Sequence, residues 1–179
     1  GDPSLQVSPL YGDLDAAAQD AALRPAPAGR RKVVVATNLA ETSLTIEGVR
    51  IVVDAGLERR QRFDPNTGMS RLDTVPISRA SADQRRGRAG RTAPGVCYRL
   101  WSESAHAALS TQAAPEILEA DLAPLALELA CWGASDPYSL AWLDAPPLAS
   151  LTQAVDLLQR LEAIDEHGKV FTVKGQVVR

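Results

Sequence analysis

The sequence predicts an α/β protein with a parallel sheet, followed by a smaller and mainly helical module. Two observations predict the sheet: runs of β-branched residues recur before residue 100, and a helical segment separates the first two of them. A third observation predicts the module, because apolar residues beyond residue 111 recur at helical spacing and lead into a β-turn-β pattern. We therefore divide the chain into residues 1–112 and residues 113–179.

The predicted strands are short apolar runs bounded by turn residues. The first strand ends at the turn Leu10-Tyr11-Gly12, and the third ends at Asp54. Two longer segments flank Pro65-Asn66-Thr67-Gly68, which predicts a β-hairpin insert. The predicted strands cover residues 5–9, 31–37, 49–54, 57–63, 70–77 and 95–101.

The predicted helices are identified by capping residues and apolar stripes. Asp15 can cap an alanine-rich helix that reaches Leu23, and Ser78 or Ser81 can cap a second helix. Later helices are predicted over residues 102–109, 121–132 and 148–161. Because the last two precede a turn at residues 165–168 and a short strand at 169–173, residues 113–179 are predicted to form a winged helix.

Composition excludes several classes of protein. No apolar run approaches the ~18 residues that a membrane span needs, and the start of the sequence has no signal-peptide pattern. Cys97 and Cys131 are too few for a disulfide framework, and their apolar surroundings predict that both are buried. We therefore expect a protein of the reducing cytoplasm without a membrane partner.

Charge is distributed unevenly along the chain. The net charge is −3, yet residues 50–99 hold eleven arginines against five acidic residues, a local balance of +6. Residues 1–49 have a balance of −2, and residues 100–179 have a balance of −7. A positive field confined to one segment indicates a surface that faces phosphate groups.

The octet Gln-Arg-Arg-Gly-Arg-Ala-Gly-Arg at residues 84–91 is the strongest candidate for such a surface. On a helix, Gln84, Gly87, Arg88 and Arg91 would share one face, because they are spaced i, i+3, i+4 and i+7. Arginine suits polyphosphate because its planar guanidinium can bond two oxygens at once. Taken alone, the octet is equally compatible with a solvated basic helix or a localisation signal.

A second motif lies upstream, where a β-branched run turns abruptly into polar residues. Residues 33–46 read Val-Val-Val-Ala-Thr-Asn-Leu-Ala-Glu-Thr-Ser-Leu-Thr-Ile. Together with the octet, this segment resembles motifs V and VI of the DEAH/RHA family of superfamily 2 helicases. The intervening Phe63-Asp64-Pro65-Asn66-Thr67-Gly68 and the approach Pro76-Ile77-Ser78 resemble the bacterial HrpB-type branch of that family. The resemblance extends from about residue 7 to about residue 169.

The resemblance implies a fold and a set of ligands. Residues 1–112 would form most of a second RecA-like helicase domain with a hairpin insert, and residues 113–179 would form the winged helix that follows it. The sequence lacks a Gly-x-x-x-x-Gly-Lys-Ser/Thr loop and an Asp-Glu-x-His box, so we expect a fragment of a longer enzyme that is inactive alone. ATP and Mg²⁺ would be held mostly by the first RecA-like domain of the parent chain, and single-stranded RNA would be the other partner.

Catalytic roles are implied for three residues of the octet. Arg88 and Arg91 would act as arginine fingers that stabilise charge on the γ-phosphate, and Gln84 would orient the attacking water or contact that phosphate. Gly87 would leave room for the anion and is assigned to cofactor binding with Thr45 and Glu47. The family pattern predicts no metal ligand in this chain.

Contacts to the RNA backbone are implied at the ends of the first two strands. Thr37 and Asn38 would bind phosphate and sugar through short polar side chains, and Gly12 would offer a backbone amide. The alternative for Thr37 or Asn38 is an ordinary helix cap, and for Gly12 an ordinary turn. The hairpin around Asn66 resembles the strand-separating hairpin of the family, with a plain surface hairpin as the alternative.

Two other functions remain open at this point. The chain could be a non-catalytic nucleic-acid-binding module in which the winged helix reads the nucleic acid and the arginine segment clamps the backbone. It could also be a scaffold that binds proteins through its acidic second part. A phosphate loop and an Asp-Glu-x-His box upstream in the same reading frame would favour the helicase.

Overall fold

A computed structural model describes residues 2–42, 46–65, 67–91, 93–134, 136–170, 172–173 and 176–177. Within these ranges the chain forms two compact units. The first comprises Gly1–Arg60 and Thr74–Ala113, and the second comprises Gln61–Asp73 and Ala114–Arg179. The strands in chain order are β1 (Leu5–Leu10), β2 (Arg31–Ala36), β3 (Ile51–Asp54), β4 (Leu57–Asp64), β5 (Met69–Pro76), β6 (Val96–Arg99), β7 (Thr172–Val173) and β8 (Gln176–Val177).

Five of the six helices in the described residues were predicted from the sequence, and the short helix Leu39–Thr42 was not. They are α1 (Ala16–Leu23), α2 (Leu39–Thr42), α3 (Arg79–Gly87), α4 (Glu103–Ala108), α5 (Ala123–Trp132) and α6 (Leu148–Arg160), with short 3-10 turns at Glu116–Leu118 and Pro137–Ser139. Asp15 caps α1 through a 2.8 Å hydrogen bond from the Ala18 N–H, and Ser78 caps α3 through a 3.1 Å bond from the Ser81 N–H. Both caps agree with the sequence patterns.

Parallel pairing in the first unit confirms the predicted α/β class. β1 pairs with β2 in a register that runs from Leu5 opposite Arg31 to Leu10 opposite Ala36. β3 pairs with β6 in the same sense, with Ile51 opposite Val96. Parallel register brings the carboxyl ends of paired strands to a common edge, so the loops that follow β1 and β2 lie side by side.

Each parallel pair buries one face and exposes the other. Leu10 is fully buried, and Ser8 and Asp54 are also buried, whereas the alternate residues of the same strands face outward. The exposed large apolar side chains on these strands are Leu5, Val7, Val33, Val35, Ile51, Val53, Val96 and Tyr98.

The second unit has its own apolar core between α5 and α6. Gly133 ends α5 in the left-handed conformation (φ +77°), which is why the helix stops there. After α6 the chain forms an isolated antiparallel bridge between Ile164 and Val170, followed by the pair β7 and β8. The buried core residues are Leu122, Ala126, Leu151, Ala154, Leu158 and Ile164.

The strands β4 and β5 pair with each other, and the residues around their connection belong to the second unit. Asn66, at the predicted tip, lies outside the described residues. The same holds for Phe171, Lys174 and Gly175 at the predicted end of the winged helix. Among the described residues, none of the helices combines the length and apolar character needed to cross a membrane.

Two expectations from the sequence were wrong. The octet was expected to be helical up to Arg91, but α3 ends at Gly87 and Arg88 is its C-terminal cap. The next amides, of Arg88 and Ala89, bond to carbonyls three residues back, which tightens the chain into turns. Cys131 was expected to be buried, but it is exposed because it points away from the stripe of α5 that packs on α6.

Candidate functional site

The candidate RNA-contacting residues lie at the adjacent ends of β1 and β2. The Thr37 N–H donates to the Leu10 carbonyl at 3.1 Å, which extends the parallel pairing beyond the end of β2. Gly12 follows on the β1 side, and a Cβ placed on it would meet nothing within 4 Å. The structure thus brings Gly12, Thr37 and Asn38 to one edge of the strand pair.

The side chains of Thr37 and Asn38 are both exposed at the start of α2. Their backbone carbonyls accept hydrogen bonds from the N–H groups of Ala40 (3.3 Å) and Glu41 (2.9 Å). Neither side chain makes a hydrogen bond within the described part of the chain, so the helix-cap alternative has no support from side-chain bonding. Their polar groups therefore face solvent and are accessible to a phosphate or a sugar.

The octet presents its residues at different depths. Gln84 and Gly87 are exposed on the last turn of α3, Arg88 is half-buried, and Arg91 is exposed in the bend beyond the helix. A Cβ on Gly87 would meet nothing within 4 Å, so the space beside it is open. Gln84, Gly87 and Arg88 belong to α3 or to its C-terminal cap and keep helical spacing, whereas Arg91 lies beyond the helix.

Arg88 and Arg91 place two positive charges near each other. Burial lowers the pKa of Arg88 most, the like charge of Arg91 lowers it further, and Glu41 opposes the shift. The Arg88 side chain also donates a hydrogen bond to the backbone carbonyl of Glu41. A protein surface that holds two guanidiniums together is suited to bind an anion with several oxygens.

Arg85, within the octet, is the centre of a largely buried ion-pair network. Its guanidinium bonds the Glu41 carboxylate at 3.0 Å, the Asp54 carboxylate at 3.0 Å and the Leu57 carbonyl at 3.1 Å. The Asp54 side chain is 1% exposed and also accepts the Gly56 N–H at 2.9 Å. The network ties α2, the end of β3 and the start of β4 to α3.

Thr45 and Glu47 are the two remaining candidates for nucleotide binding. Thr45 lies outside the described residues. Glu47 is exposed and lines a shallow cleft with Asp20, Leu23, Arg24 and Pro25 at the end of α1. The structure therefore places Glu47 beside the end of α1.

A known domain family matches the first part of the chain. A model of the helicase conserved C-terminal domain matches residues 2–93, which is just over half of the sequence. The chain belongs to this helicase family. The matched residues include the strands β1 to β5 and the octet up to Arg91.

Individual helicases match over nearly the full chain. The sequence is 51% identical over 170 residues to the ATP-dependent RNA helicase HrpB of Escherichia coli (strain K12), covering 95% of this chain and 21% of the relative. It is 44% identical over 167 residues to the pre-mRNA-splicing factor ATP-dependent RNA helicase prp22 of Schizosaccharomyces pombe, covering 93% and 14%. The chain thus spans about a fifth or less of the length of these relatives.

Solved structures of helicases also resemble this chain. The crystal structure of the Escherichia coli DEAH/RHA helicase HrpB superposes with a TM-score of 0.87 at 48% identity, covering 94% of this chain and 22% of that one. A second crystal structure, of the Escherichia coli DExH-box NTPase HrpB, gives a TM-score of 0.82. The resemblance to DEAH/RHA helicases of the HrpB type is confirmed.

The helicase motifs account for the octet, but they did not predict the acidic residues that bond Arg85. Glu41 and Asp54 were not predicted as functional, although each is an acidic residue within a motif or at the end of an apolar strand. A carboxylate at the buried end of Ile-Val-Val-Asp is the one sequence signal that could have found Asp54, because such a group needs a cationic partner.

Most arginines of the paired strands β4 and β5 in this helicase domain are bonded to carboxylates. Arg60 pairs with Glu58, Arg71 pairs with Asp73 at 3.2 Å, and Arg62 pairs with Glu119 at 3.1 Å. The Phe63 N–H also donates to the Glu119 carbonyl at 3.0 Å. The positive field expected from these strands is therefore partly neutralised.

Proposed function

We propose that this chain is the C-terminal helicase domain of an ATP-dependent RNA helicase, in which it supplies arginine fingers to ATP hydrolysis and holds the RNA backbone without reading sequence. The proposal extends the family assignment to particular residues. The observation that carries it is the open space beside Gly87 at the end of α3, next to Arg88, whose pKa is lowered by burial and by the nearby positive charge of Arg91.

The residues fit a nucleotide polyphosphate. Arg88 is half-buried and its side chain bonds the Glu41 carbonyl, whereas Arg91 is exposed. A phosphate could therefore bind between the positioned guanidinium of Arg88 and the solvent-exposed guanidinium of Arg91. Gln84 lies one turn earlier and offers an amide for a water molecule or an oxygen. Mg²⁺ and the phosphate loop would come from the first RecA-like domain of the parent enzyme, and when bound they would supply the remaining charge stabilisation.

Single-stranded RNA is the proposed second ligand. Gly12, Thr37 and Asn38 lie at one strand edge with polar groups facing solvent, which suits contacts to phosphate and sugar. Such contacts fix the strand in position and leave the bases unread, as a motor that moves along any sequence requires. The helices α5 and α6 with the strands that follow would form the winged helix of the helicase.

The decisive test is ATP turnover by the full-length protein, with and without single-stranded RNA, in the wild type and in Arg91→Ala. We expect RNA-stimulated hydrolysis that falls by about 10³-fold or more in the variant, as for other arginine fingers. Arg86→Ala is the matched control, because Arg86 lies on the same helix, is 64% exposed and pairs with Asp83 at 3.6 Å. It should leave turnover near the wild-type value.

The isolated chain should hydrolyse no ATP, because its sequence has no phosphate loop. Wild-type turnover in full-length Arg91→Ala would overturn the finger role. Robust hydrolysis by a pure sample of the 179-residue chain would contradict the proposed division of the active site.

A further inference from the structure

The network around Arg85 is a group of charges that ATP and RNA contacts leave unexplained. One guanidinium serves two carboxylates, those of Glu41 and Asp54, and their side chains are 13% and 1% exposed. Arg85 itself is 16% exposed. Arg85 therefore lies beneath the surface that would meet a nucleotide.

Stability alone is a poor reason for this arrangement. Removing ions from water is costly in proteins, and apolar residues of similar volume often stabilise a fold equally well. The second oxygen of Asp54, Oδ2, is buried without a hydrogen-bond partner in the described structure, which adds to the cost. Stability alone therefore does not account for the network, and the residues that it holds in place offer a second reason for it.

Glu41 is the residue that joins the network to the candidate finger. Its carboxylate bonds Arg85 at 3.0 Å, while its backbone carbonyl accepts the hydrogen bond from Arg88. Arg85 and Arg88 are spaced i, i+3 at the end of α3, so both contacts are made by one short stretch of helix. Any movement of α2 against α3 would shift the carbonyl that fixes Arg88.

Asp54 and Leu57 provide the fixed side of the arrangement. Asp54 ends β3, and its carboxylate bonds both Arg85 and the Gly56 N–H. The Leu57 carbonyl at the start of β4 accepts a further bond from Arg85 at 3.1 Å. Arg85 is thereby held to the sheet on one side and holds α2 on the other.

We propose that Arg85 is a positioning residue for ATP hydrolysis: through Asp54 and Glu41 it sets the place of α2, and α2 in turn fixes Arg88 against the γ-phosphate. This inference rests on the proposed function, since it concerns the same phosphate site. Arg85 touches neither nucleotide nor RNA in this arrangement, so its loss should lower kcat through Arg88 and leave the binding of ATP nearly unchanged.

The experiment uses the full-length protein with a paired replacement, Arg85→Met together with Asp54→Asn. The amide oxygen introduced by Asp54→Asn can still accept the Gly56 N–H, and the most deeply buried carboxylate is no longer left without its cation. The Glu41 carboxylate keeps the positive charge of Arg88 nearby. We expect a melting temperature within a few degrees of the wild type, a KM for ATP within about threefold and a kcat lower by about 10²-fold.

A single variant, Glu41→Ala, gives an independent measurement. It removes the carboxylate, keeps the carbonyl that Arg88 contacts and leaves Arg85 paired with Asp54, so kcat should fall by about tenfold at an unchanged KM. Asp83→Ala is the matched control. Asp83 is also an acidic partner of arginines, bonding Arg99 at 2.8 Å and Arg86 at 3.6 Å, but it is exposed and bonds neither Arg85 nor Arg88. It should turn over ATP as the wild type does.

The outcomes separate this proposal from the proposed function. Wild-type kcat in a folded double variant would overturn the positioning role, and if that variant does not fold, wild-type kcat in Glu41→Ala would do so. Arg88→Ala is measured beside them. If Arg88→Ala hydrolyses ATP normally, the finger assignment itself fails; if it loses activity while both network variants keep theirs, only the role of Arg85 fails.

Discussion

Replacing Gly87 by alanine should make the protein more stable and a poorer enzyme. Gly87 is the last residue of α3, its φ is negative, and a Cβ built on it meets no atom within 4 Å. Alanine is favoured over glycine inside a helix by about 0.5–1 kcal/mol, and a terminal position should give about half a kcal/mol. For a chain of this size that gain raises the melting temperature by about 1–2 °C.

The loss of activity has a different origin. If the open space beside Gly87 is where a phosphate approaches, the added methyl group occupies part of it. We expect kcat/KM for ATP to fall by about tenfold, or about 1.4 kcal/mol of transition-state binding. The assays are thermal unfolding of the 179-residue chain followed by circular dichroism, and ATP turnover of the full-length variant.

Gly95→Ala is the comparison that should change stability in the opposite direction. A Cβ there would overlap the Ala89 carbonyl and lie 2.6 Å from the Arg50 carbonyl, and both are backbone atoms that cannot rotate away. We expect a loss of about 3 kcal/mol or more. A lower melting temperature in Gly87→Ala would refute the argument from open space, and a stabilised variant with normal turnover would refute the role of Gly87 in binding an anion.

Two further predictions concern stability and thiol chemistry. The Lys32 ammonium donates hydrogen bonds to three carbonyls at the end of α1, those of Ala21 (2.9 Å), Ala22 (2.7 Å) and Arg24 (2.6 Å). Lys32→Met removes these bonds and should lower the free energy of unfolding of the first unit by about 1–3 kcal/mol, measured by urea unfolding. An unchanged unfolding midpoint would contradict this prediction. Cys97 is half-buried, and this partial burial raises the pKa of its thiol. In a chromogenic thiol assay at pH 8 the exposed Cys131 should therefore react first and Cys97 more slowly, and equal rates would contradict the difference in exposure. Because the folded pKa of Cys97 is raised, its contribution to stability is present at neutral pH and is lost as pH rises above the unfolded value.

The sequence was sufficient for the order of the longer elements and for the helicase assignment, but not for the short helix α2 or for the strand pair β7 and β8. Asp15 and Ser78 cap α1 and α3 as predicted, because a capping hydrogen bond joins residues three apart and is visible in the local pattern. The parallel pairing of β1 with β2 also followed from the alternation of strand and helix. The family motifs themselves are local strings, so they could be recognised without knowledge of the distances between residues.

The features that escaped prediction depend on residues far apart in the chain. Arg85 bonds Glu41, 44 residues away in the chain, and Asp54, 31 residues away. No local sequence pattern specifies which carboxylate an arginine will bond. The end of α3 at Gly87 was missed because helical spacing was extended through two glycines to Arg91. Cys131 was misjudged because its apolar neighbours Leu129 and Ala130 indicated burial, whereas the helix turns its side chain to the solvent.

The end of α3 at Gly87 gives the two candidate fingers different local rigidity. Arg88 caps a hydrogen-bonded helix and is held through its side chain, so its amide and its guanidinium should fluctuate little. Arg91 follows short i to i−3 turns on the surface, and such segments open at a lower free energy than a helix packed on a sheet. Amide hydrogen exchange should therefore be slow at Ala82 and Asp83 and faster at Arg91, so that the backbone of Arg91 can adjust more than that of Arg88 when a nucleotide binds.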